Sequence, residues 1–268
     1  MFKKGSSDPF DPERLPMLNK DVSGSNSALN IVVTHGWATD SVFTQNFKNL
    51  FPEHRITLID LPGYGKNLSL GEYAGDFDKT AQILNHSLPK NSLLICWSLS
   101  TLYGIKACTF PNNRIAGLIT ICGAPRFPDE PGNPGFHKRY IDKLRKNFDE
   151  KNFKRLLKLF YSIQGNSACG DLISTYFQQF AIPSYKVLEA GINHMMNCDE
   201  REDLKALRLP SLHIFGSKDL LVPAKQLQNI EALGKQGVII EGASHLPFLS
   251  HAELLKKLIN NFIHANNL

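Results

Sequence analysis

A serine, an aspartate and a histidine, far apart in the sequence, carry the chemistry this chain is best equipped to perform. Ser98 ends the apolar run Leu93-Leu94-Ile95-Cys96-Trp97, and a run with helical spacing (Leu99, Leu102, Tyr103, Ala107) begins at once. That pattern predicts a buried strand, a short turn and a helix. A serine at the apex of such a turn is held in a strained backbone with its hydroxyl facing outward. The helix N-terminus behind it offers N–H groups and partial positive charge to an anion formed beside it. A hydroxyl is a weak nucleophile at neutral pH and needs a general base. A histidine supplies one, and a carboxylate holds that histidine in the right tautomer and stabilises its protonated form. His245 and Asp219 are the candidates for those roles.

The turn departs from the usual G-x-S-x-G at both ends, with Cys96 and Ser100 where glycines are usual. Glycine is favoured there because strand and helix backbones pass very close; cysteine and serine are among the next smallest residues. Taken singly, each candidate also has a plainer use. Ser98 fits a helix cap after a core strand. Asp219 fits a turn before Leu220-Leu221-Val222-Pro223. His245 is one of nine histidines and fits an ordinary loop position. Their joint placement is harder to explain that way.

The elements that must position these residues alternate. Strands are predicted at Asn30–Thr34, Arg55–Asp60, the run ending at Trp97, Ile115–Cys122, Leu209–Phe215 and Val238–Glu241. Helices are predicted from Ser41 to about Leu50, Tyr73 to Leu88, after Ser98, Ala224 to Leu233, and Ala252 to His264. Such alternation implies right-handed crossovers and a mostly parallel sheet covered by helices on both faces. Ligands bind beyond the carboxyl ends of strands in such a sheet. Ser98, Asp219 and His245 each fall just past a strand's carboxyl end, in the chain order Ser…Asp…His of an α/β-hydrolase fold. The main-chain N–H groups of Leu99, directly after the serine, and Trp37, after His35-Gly36, are the expected oxyanion-hole donors. His35 precedes the serine and reads as a brace for its loop; Asp60, before Pro62-Gly63-Tyr64-Gly65, reads as a loop organiser.

The rhythm breaks from Gly123 to about Glu202, where a Pro/Gly-rich opening is followed by amphipathic helices. A segment of that length is too long for a connection and reads as an inserted helical lid. The expected organisation is therefore a core of residues 29–122 and 206–268, a lid subdomain at 123–205, and a poorly ordered or loosely docked arm at 1–28 that holds at most an edge strand.

Composition bounds the setting. Of 268 residues, 42% are hydrophobic and 21% charged, as in ordinary globular chains. No apolar run approaches the roughly 20 residues that span a bilayer. Met1-Phe2-Lys3-Lys4-Gly5 has no apolar segment behind it, so a secretory signal is not expected. The five cysteines are scattered, odd in number and without a C-x-x-C pair, which argues against a zinc or disulfide framework and suits a cytoplasmic location.

Four stretches carry a specific resemblance: His35-Gly36-Trp37; Cys96-Trp97-Ser98-Leu99-Ser100; Gly216-Ser217-Lys218-Asp219-Leu220-Leu221-Val222-Pro223; and Ala243 to His251. Together with Gly123-Ala124-Pro125-Arg126-Phe127 they resemble the BioH-type carboxylesterases of biotin synthesis, the pimeloyl-[acyl-carrier protein] methyl ester esterases. The resemblance covers about residues 29–268. It implies a Ser-His-Asp triad of Ser98, His245 and Asp219, oxyanion donors at Trp37 and Leu99, and no metal or cofactor. The elbow without glycines and the N-terminal arm are departures from the family pattern.

Residues 123–160 hold ten basic against five acidic side chains, which accounts for the whole formal charge of +5. Lys151, Lys154, Arg155 and Lys158 recur at i, i+3, i+4 and i+7, one helical stripe, and Lys138 and Arg139 precede them. A solvated outer face explains such a stripe. So does recognition of an acidic partner, since concentrated positive charge on an element covering a site steers and orients one. The resemblance implies that the partner is acyl carrier protein. Nucleic acid and membrane are disfavoured, because neither a nucleic-acid motif nor a strongly apolar exposed face accompanies the charge. The resulting expectation is a monomeric serine carboxylesterase acting on a carrier-borne methyl ester; the alternative is a general short-chain esterase or thioesterase with no carrier partner.

Overall fold

The computed structural model describes residues 15–24, 29–136, 142, 146, 148–164 and 170–268. Seven strands form one sheet: β1 Lys20–Ser23, β2 Asn30–Thr34, β3 Arg55–Ile59, β4 Ser92–Trp97, β5 Ile115–Ile121, β6 Ser211–Gly216 and β7 Gln236–Ile240. Their spatial order is β1-β3-β2-β4-β5-β6-β7. β1 runs antiparallel to β3, and every other neighbouring pair is parallel. A parallel sheet needs helices on both faces, so its central strands read as unbroken apolar runs. Every residue of β4 and β6 is buried.

The order of strands reverses at β2: β3 pairs on one side of it and β4 on the other. The crevice beyond the carboxyl ends of β2 and β4 is therefore the switch point where such sheets bind ligands. His35-Gly36-Trp37 leaves the first of these strands and Ser98 the second.

Helices α1 Ser41–Thr44, α2 Phe47–Leu50, α3 Phe77–Ser87 and α4 Ser100–Thr109 lie between the first five strands. Between β5 and β6 the described helices are α5 Phe153–Gln164, α6 Gly170–Gln179, α7 Tyr185–Asn197 and α8 Arg201–Ala206. α9 Gln226–Ala232, α10 Pro247–Ser250 and α11 Ala252–Ala265 complete the chain. α11 buries Leu255, Ile259, Phe262 and Ile263, spaced for one helical face. Each such fully buried side chain contributes roughly 1.5–3 kcal/mol. No helix among the described residues is long and apolar enough to cross a membrane.

The α/β alternation and the mostly parallel sheet agree with the sequence reading, and two helices differ from it. The single helix expected from Ser41 to Leu50 is split into α1 and α2, because the bonds Lys48 N–H to Gln45 O and Asn49 N–H to Asn46 O tighten to i→i−3 at the junction. Asn46 there spends its amide on the Phe248 carbonyl at 2.7 Å. The helix expected from Tyr73 begins instead at Phe77, where Asp76 caps it by accepting from the Lys79 N–H at 2.9 Å. A 3₁₀ helix, Gly65–Tyr73, precedes it, kinked at Asn67 and Leu70. Within 1–28 the edge strand is β1; residues 1–14 and 25–28 lie outside the described part.

Candidate active site

Ser98 follows β4 with a φ of 59°, the left-handed region that residues with a Cβ rarely occupy. Two bonds hold it there: its N–H donates to Ile121 O at 2.9 Å, and its carbonyl accepts from the Thr101 N–H at 3.0 Å. The strain costs about 1–3 kcal/mol and aims the hydroxyl out of the turn. Where the usual elbow has glycines, this one has moved the empty space. A Cβ on Gly104 of α4 would lie 2.3 Å from Cys96 Sγ, so the helix supplies the gap that the strand's thiol fills. Burial pushes that thiol's pKa up to about 12, so Cys96 stays protonated and inert. Ser100 satisfies its own hydroxyl, donating to Trp97 O at 3.0 Å and accepting from Thr34 Oγ1 at 2.9 Å.

His245 and Asp219 come from the loops after β7 and β6. His245 Nε2 lies 3.0 Å from Ser98 Oγ, and its Nδ1 lies 2.7 Å from Asp219 Oδ2. The second carboxylate oxygen accepts from the N–H groups of Leu221 at 2.8 Å and Val222 at 3.0 Å. Both oxygens are thus occupied, and Oδ2 fixes the imidazole as the tautomer with its proton on Nδ1, leaving Nε2 free to accept from the serine. The two loops touch because Gly216 has no side chain: a Cβ there would lie 2.4 Å from Ala243 O and 2.5 Å from Ser244 O.

Two neighbours of the site were not singled out by sequence reasoning. Trp97 directly precedes the serine, and its indole N–H donates to the His245 carbonyl at 2.9 Å. The same residue therefore ties the nucleophile's strand to the base's loop. Its ring packs edge-on against Phe248, with centroids 5.1 Å apart. Cys122 leaves β5 with a φ of 49°, and its Sγ lies within 4.8 Å of one oxygen of Asp219 and one ring nitrogen of His245. Burial, then the charge of Asp219, push this thiol's pKa well up. A protonated thiol and a carboxylate already holding three donors make a poor cation site. The arrangement suits proton transfer.

His35-Gly36-Trp37 lies against the serine: a Cβ on Gly36 would meet Ser98 Cβ at 3.1 Å. Leu99 begins α4 at φ −49°, ψ −42°. Neither the Trp37 nor the Leu99 backbone N–H has an acceptor among the described residues. His35 is buried and its tautomer is fixed by its partners. Its Nε2 accepts from the Leu61 N–H at 3.0 Å, and its Nδ1 donates to Gly36 O at 2.8 Å. Burial lowers its pKa, so it braces the loop as a neutral ring. Asp60 accepts from Ser41 N–H at 2.6 Å and Lys66 N–H at 2.9 Å, which joins two loops.

Aromatic rings of the segment between β5 and β6 cover Trp37. Trp37 meets Phe160 edge-on at 4.8 Å and Phe148 at 5.9 Å. On the outer side Lys151, Lys154 and Arg155 are exposed at the start of α5. Lys138, Arg139 and the side chain of Lys158 lie outside the described residues.

With this geometry in hand, similarity to known proteins becomes informative. Residues 31–257 match the family model described as Alpha/beta hydrolase family. A pimeloyl-[acyl-carrier protein] methyl ester esterase from Wigglesworthia glossinidia brevipalpis is 35% identical over 258 residues, covering 92% of this chain and 97% of that protein. The protein of the same name from Edwardsiella ictaluri is 32% identical over 233 residues, covering 84% and 89%. Among solved structures, an esterase from Exiguobacterium antarcticum superposes with a TM-score of 0.83 at 20% identity, covering 92% of this chain and 95% of that one. A hydrolase from Oleispira antarctica gives 0.81 at 18%, covering 95% and 98%. At such identity the structural matches speak for the fold alone.

Proposed function

The chain belongs to the alpha/beta hydrolase family and, within it, to the pimeloyl-[acyl-carrier protein] methyl ester esterases, and from that premise we propose that it is a serine carboxylesterase releasing methanol from the methyl ester of a pimeloyl chain borne on acyl carrier protein. The observation that carries the reading is the unbroken contact line from Ser98 Oγ through the His245 ring to Asp219, at 3.0 and 2.7 Å.

In this reading Ser98 Oγ attacks the ester carbonyl carbon while His245 Nε2 takes its proton. The carbonyl oxygen becomes an oxyanion facing the N–H groups of Trp37 and Leu99, each donor being worth about 10²–10³ in turnover. The tetrahedral centre collapses, His245 returns the proton to the departing methoxide, and methanol leaves an acyl-enzyme. Water, deprotonated by the same ring, then releases the free carboxylate and restores the serine. Asp219 keeps the imidazolium oriented through its bond to Nδ1. The thioester to the carrier arm is untouched, so the product stays on the carrier for biotin assembly.

The segment between β5 and β6 acts as the lid. Its aromatic inner side suits an acyl chain, and the cations Lys138, Arg139, Lys151, Lys154, Arg155 and Lys158 suit an acidic carrier protein. The free, buried thiols Cys96, Cys108 and Cys122 fit a reducing cytoplasm. We read the enzyme as a monomer there.

One assay tests the reading: methanol release from the carrier-borne methyl ester by the full chain. Ser98→Ala should lower the rate by about 10⁵–10⁶; wild-type turnover in that variant would sink the mechanism. Reversing charge at Lys151, Lys154 and Arg155 together should raise KM for the carrier-borne ester by at least about tenfold, far more than for a free short ester. Equal losses on both would favour the carrier-independent esterase.

A further inference from the structure

The residues placed at the oxyanion hole are held by the helices between β5 and β6 at least as much as by the sheet. Trp37 is buried, and its indole N–H donates to the carbonyl of Leu188 in α7 at 2.8 Å. Ala38, next in the chain, has a φ of 57°, a left-handed conformation in a residue with a Cβ. The hydroxyl of Tyr161 in α5 donates to its carbonyl. Asp40 accepts from the backbone N–H of Ala181, beyond α6, at 3.2 Å, while its other oxygen caps α1 through the Val42 N–H at 3.0 Å. Three bonds from three separate stretches of the insertion thus land on a four-residue loop.

A glycine in the middle of α7 adds an independent observation. Glycine is among the weakest helix formers, so one inside a helix usually answers a packing demand. A Cβ on Gly191 would lie 2.6 Å from Trp37 Cδ1 and 3.2 Å from Leu99 Cδ2. The bare backbone of this one position therefore seats the side chains of both residues whose main-chain N–H groups are proposed as the oxyanion donors.

Resting on the esterase reading above, we infer that Tyr161, Gly191 and the Leu188 carbonyl are positioning residues for the oxyanion hole, so that the hole takes its catalytic geometry only while α5 and α7 are seated on the loop of residues 37–40. None of them touches substrate. Each acts through Trp37, Ala38 or Leu99. Main-chain donors work only when fixed in advance where charge develops, and a displacement of about 1 Å costs up to 10² in rate. Burial raises the Tyr161 pKa well above the ordinary phenol value, so its hydroxyl remains a donor wherever the enzyme works. A second consequence follows for the carrier protein: docking on the outer face of α5 would press on the element that carries Tyr161, which links partner binding to turnover.

The test uses the full chain, a short p-nitrophenyl ester, and an alkyl trifluoromethyl ketone. The ketone's carbonyl carbon bonds to Ser98 Oγ, the serine proton passes to His245, and the ketone oxygen becomes an oxyanion in the hole. Tyr161→Phe removes one hydroxyl and leaves the ring packed on Phe43, whose centroid is 5.6 Å away. It should lower kcat about tenfold, leave KM within about twofold, and weaken the ketone by the same factor as kcat. Gly191→Ala should do the same or more, and if it fails to fold Tyr161→Phe still decides. Wild-type kcat and ketone affinity in Tyr161→Phe would overturn the inference, as would a loss of kcat with unchanged ketone affinity. In either case a dead Ser98→Ala would leave the esterase reading standing. A wild-type enzyme that neither cleaves the ester nor binds the ketone would remove that reading itself.

Discussion

The carboxyl edge of the sheet and the helical insertion above it hold their side chains by different means. At the edge, position comes from main chain. Ser98 is pinned by bonds to Ile121 and Thr101, and Asp219 by the N–H groups of Leu221 and Val222. His245 is pinned by Trp97 through its own carbonyl. The insertion leans on side chains. Tyr161 packs against Phe43, Phe177 and Phe180 with centroids 5.0–5.7 Å apart. Its base is drawn together by Arg126, which forks onto Glu130 at 2.9 and 3.1 Å and donates to the carbonyls of Met196 and Cys198, each at 3.1 Å. A hydrogen bond fixes donor and acceptor to a narrow range of distance and angle, whereas ring packing fixes position by contact over a wider area. The edge is thus built to keep a proton-transfer line within tenths of an ångström. The insertion is held by ring packing spread over several contacts, and it braces the loop below it.

The sharpest way to break this comparison is at the edge. Asp219→Asn keeps the shape and two of the acceptor bonds but offers His245 an amide, which favours the wrong tautomer. We expect kcat to fall by about 10⁴ with little change in melting temperature. A fall of under tenfold, measured with a short ester, would show that the base is oriented from elsewhere. Trp97→Phe is the milder probe. It keeps an aromatic ring against Phe248 and removes the bond to His245 O, so we expect kcat to drop about tenfold with KM unchanged. Unchanged kcat with lowered stability would mean that Trp97 is packing alone.

How much of this was legible beforehand follows the same division. The core strands were readable because burial on both faces forces continuous apolar runs such as Leu93-Leu94-Ile95. Ser98, Asp219 and His245 were readable because topology puts strand ends together whatever lies between them. The role of Gly104 was not, since the empty space that completes the elbow sits on the helix six residues past the serine. Nor was the 3₁₀ helix at Gly65–Tyr73, whose Asn67 side chain donates to the Asp60 carbonyl at 2.7 Å, a pairing no periodicity announces. The contacts of Trp97 and Tyr161 share that character: side chain to carbonyl across more than a hundred residues. Of the basic stripe, exposure of Lys151, Lys154 and Arg155 matches a helix's outer face, while Lys138 and Arg139 lie outside the described part.

The elbow offers a smaller test, on stability. Gly104→Ala should push a methyl into Cys96 Sγ and destabilise by about 1–3 kcal/mol. Adding Cys96→Gly, which restores the usual motif on the strand, should recover most of that loss. Chemical denaturation of the two single variants and the double reads the coupling. Additive effects would mean that the two positions do not share one space.

The smallest effect probes the base of the insertion. Glu200 is buried, and its backbone N–H donates to Pro125 O at 2.8 Å, where the chain leaves the sheet. Burial foremost, then a hydrogen bond with Asp203, raise its pKa from 4.5 to about 8. The sign follows from linkage. The folded state holds this proton more tightly than the unfolded chain, so stability falls as pH rises from about 4.5 towards 8, then levels off. Glu200→Gln removes the titration and keeps the shape. It should therefore raise the melting temperature more at pH 8.5 than at pH 5, by a few degrees, since about 1 kcal/mol shifts a domain of this size by roughly 2–4 °C. Lys106, 3.1 Å from Asp203, opposes the shift by attracting the ionised form. In a Lys106→Met background the pH-dependent gain from Glu200→Gln should consequently grow. A gain equal at both pH values would place the Glu200 proton on the solvent's ordinary scale and leave Arg126 as the main clamp where the insertion meets the sheet.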